Sequence, residues 1–367
     1  MALAFVRTPR ATVIALTAAA AVLAACSTPE PPAPEPAPAP PPPPPPVALN
    51  QGVADAAAIY VAFVREMGTI QPGGFQDAEA IQASIRRGAA YDPVQLSRGM
   101  IAYGAILALQ SDGFVAGVRE FAVDPDQRRD IVNRIIENPA YAAQLPGAAD
   151  AAGLIAASIG RQSAQLSAIG MAIEEDAYTI QERQDPRRRW AVQHITNREE
   201  RLESAKALSL QTMAPATDES ARLLAAALSG EGMAGAGIAV EGSDLPPPYT
   251  PAVINALAIA ALAALGAGGD DYRTYTEALS VETNSEFCLS MSKLMLFQCL
   301  AAARPSYEDM FCLGRHIVRD LSACQAQNTG GGLATAPVMT AEEPTVTPVA
   351  AEAAAASTNA VASTPEE

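Results

Sequence analysis

From residue 50 onward the apolar positions recur three and four apart. In VADAAAIYVAFVREMG, Val53, Ala57, Tyr60, Val64 and Met67 step by 4, 3, 4 and 3, the spacing of one helix face. Gly68 and Pro72-Gly73-Gly74 close that element. A second helix is predicted from Asp77 to Ala90. Asp92-Pro93 opens a third, with Asp as N-cap and Pro at the first helical position, and its stripe is Leu96, Met100, Tyr103 and Leu107. Shorter helices are predicted over Phe114–Ala122 and Asp126–Glu137. The longest runs from Ala148 to Gln184, with a heptad-like seam of Ile155, Ile159, Leu166, Ile169, Ile173 and Ile180. Gln162 and Asp176 fill the seam's vacant places and are expected where it meets solvent, a register or site role being the alternative. Asp185-Pro186 starts one further helix reaching Leu208, and another spans Asp218 to Ser229. After a Gly- and Pro-rich interruption, Pro251–Leu265 is almost wholly apolar. Its length suits the central helix of a bundle better than a membrane span.

The pattern predicts an all-α fold, a multi-helix bundle. Composition agrees: alanine dominates and aromatic residues make up 5% of the chain, which favours close-packed helices over a sheet. The expected divisions are 1–25 (export signal), 26–49 (Pro-rich linker), 50–230 (helical domain), 231–250 (Gly/Pro-rich loop), 251–326 (helical segment) and 327–367 (disordered acidic tail). The tail, with five glutamates and no base, is too polar to bury a core.

The beginning of the chain changes the picture. Residues 1–10 carry Arg7 and Arg10 and no acid, and an apolar run follows from Ala11 to Ala25, the layout of a secretory signal. It ends in Leu23-Ala24-Ala25-Cys26. This resembles the lipobox of bacterial lipoproteins, in which Leu and two small residues precede a lipidated cysteine. The resemblance covers residues 1–26 and implies that Cys26 carries a diacylglycerol thioether and becomes the acylated N-terminus. In enterobacterial lipoproteins an Asp after the cysteine favours inner-membrane retention. Ser27 stands there instead, so the implied address is the outer membrane, facing the periplasm. Each buried CH₂ contributes about 0.8 kcal/mol, enough for several acyl chains to hold a protein on a bilayer. Residues 29–46 are nearly all Pro, Ala and Glu, a polyproline spacer of roughly 55 Å.

Charge limits the partners. The chain carries −16 formally. Residues 1–25 hold two bases and no acid, so without them 22 bases stand against 40 acids, or −18. Nucleic acid is excluded as a partner by this repulsion. Lysine occurs only at Lys206 and Lys293, which reads as coding bias.

Four cysteines besides Cys26 fall within 37 residues: Cys288, Cys299, Cys312 and Cys324. An exported chain with clustered cysteines points to disulfides, with three possible pairings. Two predicted helices meet at Arg304-Pro305-Ser306. Folding back there sets Cys299 opposite Cys312 and Cys288 opposite Cys324, a disulfide-stapled hairpin. Eleven residues bring Cys288 and Cys299 within about 20° on a helix, whereas twelve leave Cys312 and Cys324 about 120° apart. Gly314 must therefore relax the second helix, or Cys324 must lie beyond its end.

Candidate chemistry is sparse. Arg187, Arg188 and Arg189 crowd a predicted first turn, where the helix dipole disfavours cations. Local pairing with Glu182 and Asp185 is expected, and a bound anion is the alternative. Glu174-Glu175-Asp176 is the one compact acidic group on a helix; similarity to lysozyme-like transglycosylases would make one of these a general acid, but the surrounding motifs do not match. His316 lies four residues after Cys312, half of a zinc set at most, and His194 has no nucleophile motif nearby. No metal or cofactor is expected. The functional expectation is a non-enzymatic, outer-membrane-anchored scaffold or binding module, bound to the membrane through Cys26 and to an envelope protein or cell-wall partner. A peptidoglycan hydrolase or lytic transglycosylase is the rival, and a small ligand between alanine-lined helices a third reading.

Overall fold

A computed structural model describes residues 43–229 and 242–330. Cys26, the signal, most of the proline run, the glycines of the 231–241 segment and the tail beyond 330 lie outside the described residues. Within them the fold is all-α: fourteen α-helices and no strand, apart from one isolated antiparallel bridge between His194 and Pro305.

The early helices follow their caps. α1 (Gln51–Gly68), α2 (Ala78–Ala89), α3 (Pro93–Ala108), α4 (Asp112–Arg119) and α5 (Pro125–Glu137) start after Asn50, Asp77, Asp92, Ser111 and Asp124. Each of these side chains accepts from a backbone N–H two or three residues on, satisfying a donor the helix leaves orphaned. α6 (Ala148–Thr179) is the longest element. Ile155, Ile159, Leu166, Ile173 and Ile180 of its seam are all buried.

The helix expected from Asp185 to Leu208 is broken. It forms a single turn, α7 (Arg188–Ala191), and then α8 (Arg198–Leu208). The segment between them pairs its backbone with the turn before residue 306: Ile195 N donates to Arg304 O (2.8 Å) and Ser306 N to Gln193 O (3.0 Å). Ile195 and Thr196 are β-branched and weak helix formers, and tertiary hydrogen bonds replace helical ones. α9 (Thr217–Ser229) follows.

α10 (Pro251–Ala264) is the central helix, with Ala256 through Ala264 at most 1% exposed. It packs against α3 and α6, so the segments on either side of residues 231–250 share one core. The space left between these three helices is about 10 Å3, room for a single water and no ligand. The alanine-lined seam is filled by close approach. At Gly99 of α3 an added Cβ would stand 2.5 Å from Ala56 O of α1. No single helix among the described residues is long and apolar enough to cross a membrane.

α11 (Arg273–Leu279) leads into the C-terminal hairpin of α12 (Thr283–Ala302), α13 (Ser306–Leu313), a π-helical segment (Gly314–Arg319) and α14 (Asp320–Thr329). The two ends of the body bracket α10. Ala48 N donates to Ala263 O (3.0 Å) and Asn50 N to Gly268 O (2.9 Å), tying the entering segment to the C-terminal end of α10. Thr250 Oγ1, at its N-terminal end, donates to Asn328 O.

Candidate interaction surface

The C-terminal hairpin carries both disulfides. Cys288–Cys324 and Cys299–Cys312 are nested, each with Cα atoms 5.7 Å apart. The twelve-residue mismatch is resolved where the sequence offered a glycine. A π turn accommodates about one extra residue, so the twelve residues from Cys312 to Cys324 turn like eleven and both cysteines meet α12. Gly314 is also where the hairpin touches α6. A Cβ there would stand 2.9 Å from Gly170 O, and a Cβ on Gly170 would stand 2.9 Å from Gly314 O.

α12 is apolar almost all round, in TNSEFCLSMSKLMLFQCLAA, yet only part of it is covered. Leu289, Leu296 and Leu300 face inward, buried beneath α12. On the opposite side Phe287 is 64% exposed, Leu294 46%, Met295 40% and Met291 38%. These four recur at offsets of 4, 7 and 8, one continuous stripe. A groove of about 360 Å3 runs beside it, lined by Phe287, Met291, Met295 and the outer disulfide. A second groove of about 400 Å3 lies by the inner disulfide, lined by Tyr178, Ala302, Tyr307 and Phe311. Large contiguous apolar patches are uncommon on a free surface, and methionine adapts its shape to whatever it contacts.

The inward side of α12 holds the one lysine of the hairpin. Lys293 is 6% exposed, and its Nζ donates to Ala89 O (3.0 Å), Tyr91 O and Ser209 O (3.2 Å), 4.1 Å from the centre of the Tyr91 ring. Burial pushes this ammonium down to about 7, with Asp92 opposing the shift. Another buried pair lies near α13. Arg201 donates to Asp309 and to Leu300 O, both side chains are 2% exposed, and burial pushes the Asp309 carboxyl up to about 6 despite Arg201. Sequence reading missed both arrangements and the open face of α12. The available signal was a lone lysine in a largely apolar helix, whose position coding bias does not address.

The residues singled out in sequence are dispersed. Arg187 lies on the approach to α7, with its guanidinium held by both oxygens of Asp176 (2.7 and 2.9 Å) and by Asp185 (2.8 and 3.1 Å). Those carboxylates raise Arg187 above its ordinary value. Asp185 is an expected partner; Asp176 takes the place foreseen for Glu182. Arg188 Nε donates to Gln181 O (2.8 Å), and Arg189 is exposed. The three guanidiniums do not converge.

Of the two polar members of the α6 seam, Asp176 lies inside the body, whereas Gln162 stays half-buried at the surface, as expected, in a groove it shares with Arg65 and Gln165. Asp176 is buried against Arg187. Gln162 accepts from Tyr60 OH (3.3 Å) and donates to Tyr103 OH (3.4 Å), while Gln325 donates to Tyr60 OH (2.8 Å). This chain of hydrogen bonds links α1, α3, α6 and α14.

In the acidic group, Glu174 accepts from Arg319 at both carboxylate oxygens (3.1 and 3.0 Å), and Glu175 is exposed. With Glu174 and Asp176 each facing an arginine, the group has no carboxyl set in an apolar pocket, as a glycosidase acid needs. His316 Nδ1 pairs with Asp320 Oδ2 (3.0 Å), and Cys312 is consumed by its disulfide. No group of three or more metal-ligating side chains is gathered among the described residues. His194 is exposed, away from any nucleophile motif.

No family model matches the chain, no curated protein matches it, and no solved structure matches its fold.

Proposed function

We propose that this chain is a non-enzymatic lipoprotein of the bacterial outer membrane, held through an acylated Cys26 and facing the periplasm, whose helical body is a binding or scaffolding module. The observation that carries the binding reading is the open stripe of Phe287, Met291, Leu294 and Met295 beside two grooves, in a body where Glu174 and Asp176 of the acidic group are each held by an arginine and Glu175 stands in solvent. The lipobox supports the anchor, and two disulfides fit an oxidising compartment. The proline run then sets the module at a fixed distance from its membrane.

Mass spectrometry of the protein purified from its native membranes tests the anchor. The expected N-terminal peptide begins at Cys26 and carries acyl chains, and Cys26→Ser moves the protein to the soluble fraction. An unacylated Cys26, or a serine variant that stays on the membrane, overturns the proposal.

A further inference from the structure

The open face of α12 has a symmetry that its composition alone does not reveal. Phe287 lies seven residues before Leu294 and Ala301 seven after it; Ser290 lies four before and Gln298 four after. All five are exposed. Two copies of α12 laid antiparallel about an axis at Leu294 therefore place each bulky Phe287 against the partner helix's small Ala301. Each Ser290 meets a Gln298, a hydroxyl opposite an amide, and Leu294 meets itself. An isologous two-fold contact requires this kind of self-complementarity.

Charge points the same way. From Phe287 to Ala302 the only ionisable side chain of α12 is Lys293, which is buried on the far side. Two chains this acidic repel each other over most approaches, and the uncharged face of α12, with Asp320 set aside in the neighbouring groove, is where that repulsion is weakest. The size is sufficient. The four exposed side chains present on the order of 350 Å2 of apolar surface. An interface at the small end of the stable range buries about 600 Å2 per partner, a little over half of it apolar, or about 340 Å2.

We infer that the occupant of this face is a second copy of the chain, joined by an antiparallel α12–α12 pair about Leu294. The inference rests on the α12 face being a binding surface. It does not depend on the lipid anchor.

A photo-crosslinking amino acid at position 294 of the full-length chain, irradiated in the cells that make it, is the direct test. The expected product has twice the chain mass and joins one copy's position 294 to the α12 peptide of the other. Crosslinking to a different protein or to lipid overturns the second-copy assignment and leaves a binding surface. No crosslink of any kind overturns both. Sedimentation of the purified full-length chain in detergent provides the second measurement. Phe287→Glu and Leu294→Glu, both at exposed positions, are expected to weaken self-association at least about tenfold with helical content and both disulfides retained. Raising salt from about 50 to about 500 mM should strengthen association, because it screens like charges and touches no interfacial ion pair. Unchanged association in both variants, or dissociation by salt, overturns the inference.

Discussion

Lys293 is a residue whose chemistry the fold alters strongly. Three backbone carbonyls from the α2–α3 junction and the end of α8 converge on its Nζ, so one ammonium joins three parts of the chain. Its folded value of about 7 lies below the roughly 10.4 of an unfolded lysine. Between those values the unfolded chain holds one more proton than the folded one, so this residue makes folding more favourable as pH rises through that window. Below pH 7 the burial cost is fully present. The contribution is about 1.4 kcal/mol per pH unit. Lys293→Met removes it, and also strips three carbonyls of their donor. The cost of the substitution in urea unfolding is therefore expected to be larger at pH 9 than at pH 7, and a cost independent of pH would refute the shift.

Among the elements, the π-helical segment decides whether the hairpin closes. Gly314 has an ordinary helical φ of −61°, so its importance is not conformational freedom. Backbone of α6 occupies the space a side chain would need, and backbone cannot swing aside. Gly314→Ala is expected to destabilise the protein by about 1–3 kcal/mol in denaturant unfolding, with both disulfides still formed. Loss of less than half a kcal/mol would mean that the α6 contact is loose. Much at this scale was legible in sequence. Asp92-Pro93 announces its helix, because capping depends on a few neighbouring residues. The nested cysteine pairing was legible from the turn at Pro305, although helical spacing set Cys312 and Cys324 apart until the π turn brought them onto one face. The break before α8 was not legible, because Ile195 and Gln193 leave the helix for partners more than a hundred residues away. The open face of α12 was hidden similarly: its pattern is apolar on every side, and only the tertiary packing shows which side is left uncovered.

At the scale of the molecule, the fold is fastened at its first helix. Asn50 is 3% exposed; its side chain accepts from Val53 N (3.2 Å) and donates to Gly268 O (2.9 Å) and Thr276 Oγ1 (2.9 Å). One residue thus caps α1 and binds the entering segment to the turn after α10. Asn50→Ala removes the cap and leaves buried partners unpaired, at an expected cost of about 2–4 kcal/mol. Limited proteolysis should then cut between residues 43 and 50 faster than in the unaltered protein, and an unchanged cutting rate would show that the segment is held by other contacts. The two fastenings, at Ala263–Gly268 and at Thr250, sit at opposite ends of a helix about 21 Å long. Traction applied at residue 43 consequently enters the body at one pole of α10, while the described chain departs at residue 330 from the other.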